Sequence, residues 1–527
     1  MTHEREDPVG EDGAMRTNEK SDSYTNNSIP NTDKSQDENR AEEETKSGID
    51  LLEDAPPTID RPLTIIDGHA YAVTTGWRSK TSDKLVETMV VLRDDGQVFG
   101  ADDKAGLPLI SDLRITIGPG MSLPDDRSLR VATVKRYVKG MRSEPGNVFQ
   151  RVVDITNHFV HFHRSVADHN VMCELIACFV IGTYLLPAFD VVPYLWPTGE
   201  RGSGKTQLLS TVSETALLGT LILAGGSYAS VRDAVGLGAT VCFDDAESIE
   251  GDKRELILAG SRRGAHVTRK APVGARDWGT VRTHAFSPKA FSSIGAPDPI
   301  LASRTILIPM VRSPDRKRGQ RDPQDHSAWP HECRQLVDDL WILGLANVTE
   351  LRAFDRRAVA RARLTGRDLD TWRMILAVAL WLEEKHGVAG LFHRMEALSV
   401  TCVAERNELE APNDQTCLVI KALIQMISVN PGNLLVFDPT TLAEHVNQIA
   451  RALGLVESNK DFTNSKSVGW TLTKLRVKKT TAGKTRKRYQ ITKQEVHDLA
   501  QAYGLTLEGV ENAEKDQNAE NGGEEKQ

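Results

Sequence analysis

The sequence predicts an α/β protein of several domains built around a parallel β-sheet, and three observations lead to this class. Short strand patterns alternate with helical patterns between about residues 188 and 312. The loop G-E-R-G-S-G-K-T at 199–206 lies between the first strand pattern and a helix pattern. Strands that alternate with helices pair in parallel, with helices on both faces of the sheet. Further helical patterns follow at about 330–345, 354–363, 368–386 and 395–409.

Composition divides the chain into six segments. Residues 1–60 contain 17 acidic and 6 basic residues and few large apolar ones, so they cannot bury enough surface to offset the entropy of ordering. In chain order we expect a disordered acidic arm at 1–60, a small β-rich domain at 61–146, an α/β core with leading helices at 147–312, a helical lid at 313–410, a small C-terminal domain at 411–504 and a disordered acidic tail at 505–527.

Charge and cysteine usage indicate the cellular setting. The net charge is −8, but the arm has −11 and the tail −5, which leaves about +8 for residues 61–504 and favours a nucleic-acid partner. The six cysteines form no C-x-x-C pair, and the N-terminus has no apolar signal-peptide core. The longest apolar stretch, 175–189, is too short to span a membrane and reads as a buried helix. We therefore expect a cytoplasmic protein with no membrane partner.

The expected sheet has five strands. A helix is predicted to begin at Lys205 and to end at Thr215, directly after the loop. The β-rich domain has strand patterns at 64–66, 70–73 and 88–92. In the core, the strands are predicted at 191–196, 220–224, 239–243, 282–286 and 305–310.

The loop at 199–206 matches the phosphate-binding pattern G-x-x-x-x-G-K-[ST] through Gly199, Gly204, Lys205 and Thr206. Glycines let backbone N–H groups curve around phosphates, and the following helix N-terminus adds a positive dipole. Lysine reaches the β- and γ-phosphates, and the threonine hydroxyl joins the Mg²⁺ shell. The pattern predicts ATP and Mg²⁺ as cofactors, bound by Gly199, Glu200, Arg201, Gly202, Ser203, Gly204, Lys205, Thr206 and Gln207.

Two adjacent acids end the third strand pattern. Asp244 and Asp245 follow the apolar run 240–243, and carboxylates at the carboxyl end of a parallel strand face the ligand crevice. We expect Asp244 to hold Mg²⁺ together with Thr206, and Asp245 to orient or deprotonate the attacking water. Glu247 is an alternative for that second role, and an acidic turn that caps a helix is the structural alternative.

Three further stretches resemble known families. The doublet at 244–246 is similar to the acidic doublet of viral superfamily-3 helicases, and Ser303-Arg304 is similar to the S-R-F step of minichromosome-maintenance (MCM) helicases. The stretch 285–308 resembles the end of an AAA+ core, and 367–373 resembles the lid of helicase modules in plasmid and phage primase-helicases. The resemblance implies a P-loop AAA+ core and a ring-forming, hexameric ATPase that acts on DNA.

The resemblance also implies roles for particular residues. Arg304 would be an arginine finger that reaches the γ-phosphate of the neighbouring subunit, or alternatively a salt-bridge residue at a strand start. Arg367 or Arg373 would be a lid arginine that contacts phosphate within the same chain, or part of a solvated helix face. The sensor position after the fourth strand, often Asn in these families, is Ser287 here.

A basic segment lies between the third and fourth strand patterns. Arg262, Arg263, Arg269 and Lys270 fall within nine residues, and Trp278 follows. In helicases of this type a hairpin near this position lines the central channel, which implies that Arg269 and Lys270 contact single-stranded DNA. A solvated basic loop is the alternative.

The C-terminal domain has nine bases and no acids between 466 and 488. Helix patterns at 440–452 and 464–475, followed by a hairpin that turns near Gly483, resemble a winged helix that binds duplex DNA. A positively charged hairpin for protein contacts is the alternative. The predicted groove and phosphate contacts are Ser467, Thr471, Lys474, Lys478, Lys484, Arg486 and Arg488.

Together these patterns predict a DNA-dependent ATPase. The expected form is a ring-forming helicase or replication initiator of a mobile genetic element, with single-stranded or forked DNA as its partner. The alternative is an ATP-switched DNA-binding regulator that does not unwind DNA.

Overall fold

The computed structural model describes most of the chain between residues 55 and 505. The predicted acidic arm up to residue 54, the predicted tail from 506, the predicted turn near Gly483, and Glu247, Lys484 and Arg486 lie outside the described residues. The described residues are 55–81, 84–100, 102–104, 107–110, 113–118, 121, 127–222, 226–246, 249, 251–272, 278–410, 415–457, 459–480, 488–503 and 505.

Two four-stranded sheets form the β-rich part, one of order β2-β3-β4-β5 and one of order β1-β8-β7-β6. The strand patterns predicted at 64–66, 70–73 and 88–92 fall within β2, β3 and β4, which confirms them. The strands are β1 (Thr58–Ile59), β2 (Leu63–Ile66), β3 (His69–Thr81), β4 (Lys84–Arg93), β5 (Val98–Gly100), β6 (Asp102–Lys104), β7 (Leu107–Ile110) and β8 (Ile115–Ile117).

Three helices lead into the core: α1 (Val131–Val138), α2 (Pro145–Phe159) and α3 (His169–Tyr184). Every residue of α3 from Leu175 to its end is buried, as predicted for the long apolar stretch. No helix among the described residues is both long and apolar enough to cross a membrane.

A five-stranded parallel sheet forms the core, with the strand order β10-β11-β14-β9-β15. The strand that precedes the phosphate loop, β9, therefore lies between β14 and β15. The core elements are β9 (Tyr194–Thr198), α4 (Lys205–Thr215), β10 (Thr220–Ile222), α5 (Tyr228–Gly236), β11 (Val241–Phe243), α6 (Gly251–Ala259), β12 (His266–Pro272), β13 (Trp278–His284), β14 (Lys289–Phe291), α7 (Pro299–Ala302) and β15 (Thr305–Pro309).

Both faces of this sheet are covered because successive side chains point to opposite faces and nearly all are apolar. Leu195, Cys242 and Ala290 join a large cluster with α2, α3 and α4. Phe243 and Phe291 lie on the other face, where their rings stack at 5.2 Å. Full burial of a side chain such as Phe291 contributes roughly 1.5–3 kcal/mol. This packing fixes the loops that follow the strands.

The predicted fourth strand at 282–286 is wrong. Residues up to His284 belong to β13, which pairs antiparallel with β12 in a separate hairpin. The fourth strand of the sheet is β14, a three-residue segment too short to stand out in the sequence. The position that follows the fourth strand is consequently Ser292, and not Ser287.

The segment predicted as a lid shares one continuous hydrophobic core with α2 and α3. Trp341, Trp372 and Trp381 are buried in it, so the aromatic residues of these helices serve packing. The helices are α8 (Arg316–Gly319), α9 (Cys333–Asn347), α10 (Leu351–Arg361), α11 (Gly366–His386) and α12 (Leu391–Glu410).

The C-terminal region has its own hydrophobic cluster and a three-stranded antiparallel sheet of order β16-β18-β17. The helices predicted at 440–452 and 464–475 are confirmed to within one residue at each end. The elements are α13 (Gln415–Ser428), β16 (Leu434–Phe437), α14 (Pro439–Ala452), α15 (Ser465–Lys474), β17 (Lys478–Thr480), β18 (Arg488–Thr492) and α16 (Lys493–Ala502).

Candidate functional site

The loop at 199–206 has a backbone that requires glycine. Gly199 has φ of 152°, and a Cβ there would lie 2.1 Å from the carbonyl oxygen of Met310. Gly204 has φ of 95° and caps the N-terminus of α4, which begins at Lys205 as predicted. An L-residue at either position would be strained or would clash, so the glycines fix the curvature of the loop.

Several polar groups of this loop have no protein partner. Among the described residues, no acceptor receives the N–H groups of Gly202 and Gly204. The buried hydroxyl of Ser203 is also without a hydrogen-bond partner. Lys205 Nζ donates to the carbonyl oxygens of Gly199 and Glu200 at 2.6 and 3.0 Å, which holds the ammonium group beside the loop. Buried polar groups normally find partners, so the open Ser203 hydroxyl, with the accessible N–H groups beside it, fits a ligand with several oxygen atoms.

Three side chains meet at the carboxyl edge of the sheet, beneath the loop. Thr206 Oγ1, at the start of α4, donates to Asp244 Oδ2 at 3.1 Å. Ser292, which follows β14, donates its hydroxyl to the other carboxylate oxygen, Oδ1. The parallel pairing of β11 with β14 and of β14 with β9 brings these positions together.

Asp245 occupies an unusual backbone conformation. Its φ is 67°, in the left-handed region that is uncommon for residues other than glycine, although aspartate tolerates it best. Its N–H donates to Ser292 Oγ at 3.2 Å, and the residue is exposed to the same cavity as Asp244. The left-handed turn therefore directs two consecutive carboxylates to one side of the sheet edge, as functional sites often require.

A second wall of the site comes from the segment 313–323. It closes a cavity of about 890 Å³ opposite the phosphate loop. Gln207 Nε2 donates to the carbonyl oxygens of Arg318 and Arg321 at 3.0 and 2.6 Å, so its side chain joins α4 to this wall. The sequence analysis assigned this segment to the start of the helical lid and not to the site. The cluster of bases at 316–321 is the sequence feature that could have indicated a contact with an anion.

His169 lies beside this wall and contacts it through Arg318. The Phe162 N–H donates to His169 Nδ1 at 3.2 Å, and His169 Nε2 lies 2.7 Å from Asn157 Oδ1 and 3.3 Å from Arg318 Nη1. Burial, together with the nearby positive charge of Arg318, lowers the pKa of His169 to about 4. This ring is therefore neutral at physiological pH.

The residues at the sheet edge fit a nucleoside triphosphate with magnesium. The Thr206 hydroxyl and the Asp244 carboxylate are oxygen ligands of the kind that Mg²⁺ prefers, and they face each other below the open donors of the loop. A second group, Glu214, His326 and Cys333, brings its ligand atoms within 4.8 Å of one another. Glu214 already forms an ion pair with Arg127 at 2.5 Å, so this group is explained without a metal.

The predicted arginines lie at the opposite, amino edge of the sheet. Arg304 precedes β15, and its Nη1 donates to Ser303 Oγ at 3.0 Å and to the carbonyl of Ile300. Arg367 is exposed and lines the same cavity of about 190 Å³ as Arg304. The length of the sheet separates this cavity from the phosphate loop, and the predicted contact between Arg367 and phosphate in the same chain stays a prediction. Arg373 is held by both oxygens of Asp355, at 2.6 and 2.5 Å.

The predicted basic hairpin is present as β12 and β13. In its register, Lys270 pairs with Thr280 and Arg269 pairs with Val281. Lys270 and Arg282 are exposed, and both belong to cross-strand pairs that share a face with the pair of His266 and His284. Sequence reasoning missed Arg282 because it assigned that residue to the core sheet.

Two predicted groove contacts in the C-terminal region face inward. Ser467 Oγ donates to Gln415 Oε1 at 2.8 Å, and Gln415 Nε2 donates to Thr471 Oγ1 at 3.1 Å, which ties α15 to α13. The prediction that Ser467 and Thr471 point into a DNA groove is therefore wrong. Lys474, Lys478 and Arg488 are exposed.

No family model matches this sequence, and no curated protein matches it. Solved structures with some similarity include an active helicase, Cch of SCCmec type IV, at 12% identity and a TM-score of 0.39, covering 84% of this chain and 99% of that one. A JCV helicase with a bound acetamide compound has 14% identity, a TM-score of 0.21 and coverage of 51% and 78%. Cdc6p from Pyrobaculum aerophilum has 13% identity, a TM-score of 0.18 and coverage of 66% and 98%. At these scores the similarities assign neither a family nor an activity.

Proposed function

We propose that this protein is a DNA-dependent ATPase that assembles into a ring, most simply a hexamer, and acts as a helicase or replication initiator of a mobile genetic element. The observation that supports it best is the convergence of Thr206, Asp244 and Ser292 beneath a phosphate loop with open donors. A hydroxyl and a carboxylate held 3.1 Å apart at a helix N-terminus suit a metal-bound triphosphate.

Each residue of the edge has a separate role in hydrolysis. Lys205 exchanges its two loop carbonyls for phosphate oxygens and neutralises their charge. Thr206 and Asp244 would hold Mg²⁺, and the ion would supply positive charge against the negative charge of the transferring phosphate. Ser292 keeps Asp244 in place through its hydrogen bond. Asp245 orients the attacking water and accepts its proton.

The arginines at the amino edge complete the site of a neighbouring subunit. Gly199 lies six residues further along the direction of β9 than the position that is level with Arg304 in the sheet. Six extended residues span about 20 Å at 3.3 Å per residue. Arg304 therefore cannot reach the phosphates of its own chain, whereas a ring brings this edge against the phosphate loop of the next subunit. Arg367 shares the cavity with Arg304 and is supplied to the same neighbour.

DNA contacts come from two regions in this proposal. Lys270 and Arg282, with Arg269 on the same hairpin, line the channel of the ring and contact the phosphates of one strand. The C-terminal region, with α14 and α15 followed by the β17–β18 pair, has the element order of a winged helix. Its exposed Lys474, Lys478 and Arg488, with Lys484 and Arg486 between the strands, contact phosphate.

The steady-state ATPase rate of the full chain, with and without single-stranded, duplex and forked DNA, tests the proposal. We expect strong stimulation by DNA that is lost in Asp245→Asn, followed by strand separation on the fork. Stimulation that weakens as salt rises is expected from phosphate contacts. A rate indifferent to every DNA, in a chain that still binds DNA, would contradict the helicase and favour an ATP-switched regulator.

The hairpin is tested by the double variant Lys270→Gln/Arg282→Gln. We expect it to lose most of the DNA stimulation, with a smaller salt dependence of binding. Lys460→Gln, a surface lysine paired with Glu457, is the matched control that removes charge elsewhere. Equal stimulation in the two variants would show that the hairpin does not contact DNA.

A further inference from the structure

Trp470 differs from every other tryptophan whose side chain the structure describes. It is 76% exposed, whereas the other five are at most 8% exposed. Aromatic rings bury more surface than other side chains, and tryptophan concentrates at recognition surfaces, where it has an apolar face and one polar edge. An indole in solvent at the middle of a helix is therefore available to contact a ligand.

Trp470 lies on the outer face of α15 because the opposite, inner face of that helix is buried. Val468 and Leu472 are fully buried in the C-terminal cluster, and Thr471 is held by Gln415. Residues four apart lie one above the other on a helix, so Lys466 and Lys474 flank Trp470 on the outer face.

The two flanking lysines are exposed and uncompensated. No ion pair among the described residues involves Lys466 or Lys474, and the sequence from 466 to 488 has no acidic residue. The two lysines are eight residues apart, which is about 12 Å along the helix at 1.5 Å per residue. That length corresponds to three or four stacked nucleotides at about 3.4 Å each.

The neutral hydrogen-bonding side chains beside Trp470 on α15 are engaged within the protein. Groove readers place hydrogen-bonding side chains against base edges, but Ser467 and Thr471 face Gln415. Asn464 is engaged as the cap of α15, and Thr473 donates to the carbonyl of Gly469. What remains is a π-face between two cations, and this combination suits an unstacked base with its flanking phosphates.

We infer that Trp470 stacks on an unpaired nucleobase of single-stranded or forked DNA while Lys466 and Lys474 contact the phosphates on either side. This inference rests on the proposed function, because it takes DNA as the partner and specifies its form. It makes α15 a contact for a separated strand and not a reader of the major groove.

The test compares Trp470→Ala, Trp470→Phe and the wild-type full chain in binding to a labelled thymidine oligonucleotide of about 20 nucleotides and to a blunt duplex of the same length. We expect Trp470→Ala to weaken single-strand binding by about 10-fold, Trp470→Phe to retain most of it, and duplex binding to change little. Lys466→Gln and Lys474→Gln should each lower the salt slope by about 0.7. Thr473→Ala, an exposed change on the same helix, is the matched control.

A second measurement is independent of affinity. An oligonucleotide with 5-iodouracil, irradiated on the full chain, is expected to crosslink to the peptide that contains Trp470. Thermal unfolding verifies that Trp470→Ala is folded. Equal single-strand affinity in wild type and Trp470→Ala, or an equal loss on duplex and single strand, would overturn the inference while the proposed function stands.

Two other outcomes would also overturn it. If the wild type bound no DNA of any form, the proposed function and this inference would fail together. If Trp470→Ala changed only the elution volume of the protein, the indole would be covered by a second copy of the chain and not by a base.

Discussion

The two edges of the core sheet have opposite chemistry. At the carboxyl edge, a phosphate loop stands above two carboxylates, and the hydroxyls of Thr206 and Ser292 hold one of them. At the amino edge, Arg304 and Arg367 share a cavity with Arg262, which pairs with Asp370. The same five strands supply both edges.

In the proposed function, the two edges supply different parts of one ATPase site. The first edge would hold the triphosphate and its metal, in a cavity that Arg201 and the bases of the wall at 316–321 also line. The second edge offers cations without a phosphate in reach. In the proposed ring, head-to-tail association of identical chains would join the two edges.

The largest expected effect is on ATP turnover, and it comes from one variant at each edge of the sheet. Lys205→Ala and Arg304→Ala should each lower ATP turnover by about 10³-fold or more, and Arg304→Ala should still bind ATP. A mixture of the two variants should recover part of the activity, because some interfaces combine an intact loop with an intact Arg304. Turnover of the mixture no higher than that of either variant would contradict a finger that acts between subunits.

Arg367 sharpens the comparison, since the sequence predicts a contact with phosphate in its own chain, whereas the proposed ring has it contact phosphate in the neighbouring subunit. We expect Arg367→Ala to lower turnover by roughly 10- to 100-fold, with partial recovery when it is mixed with Lys205→Ala. Recovery requires that Arg367 acts on the neighbour, whereas an arginine that acts within its own chain gives none. Arg356→Ala, an exposed change on α10, is the control and should leave turnover unchanged.

Ser292 tests the carboxyl edge alone. Ser292→Ala should lower turnover about 10-fold and raise the Mg²⁺ concentration needed for half-maximal rate, because one oxygen of Asp244 loses its donor. Ser287→Ala is the matched comparison, since Ser287 instead accepts a hydrogen bond from Lys289 at 3.1 Å. If Ser287→Ala impaired turnover more than Ser292→Ala, the assignment of the position after the fourth strand would be wrong.

Lys289 at the amino end of β14 gives the smallest effect, and it concerns stability. Burial, together with the positive charge of Arg61, lowers the pKa of Lys289 to about 7. Between pH 7 and about pH 10.5 the unfolded chain therefore holds a proton on Lys289 that the folded chain does not. Burial of the charged lysine lowers the free energy of unfolding by its full amount below pH 7, and this loss of stability disappears above pH 10.5.

Lys289→Met removes the titrating group and is expected to raise the Tm at pH 7, with the advantage shrinking as the pH approaches 10. Thermal unfolding at both pH values measures it, and the exposed Lys385→Met is the control. An advantage that grew with pH would contradict a lowered pKa.

Features that depend on residues close together in the chain were predictable from the sequence, and features that depend on contacts between distant residues were not. The phosphate loop, α4 and the acidic pair after β11 were predictable, because each depends on residue types within a few positions of one another. The helices α14 and α15 were predictable for the same reason. The face that α15 presents was not, since Gln415, about 50 residues earlier, decides it.

The sequence by itself determined that the chain has a phosphate loop, an alternating α/β core and a basic C-terminal region, because local spacing and composition encode these features. Only the tertiary structure decided that Ser292 supports Asp244, that Arg367 stands with Arg304 at the far edge, and that Trp470 faces solvent. These features depend on strand order and on which helix face is buried. Both arise from contacts between residues distant in the chain, which local patterns do not encode.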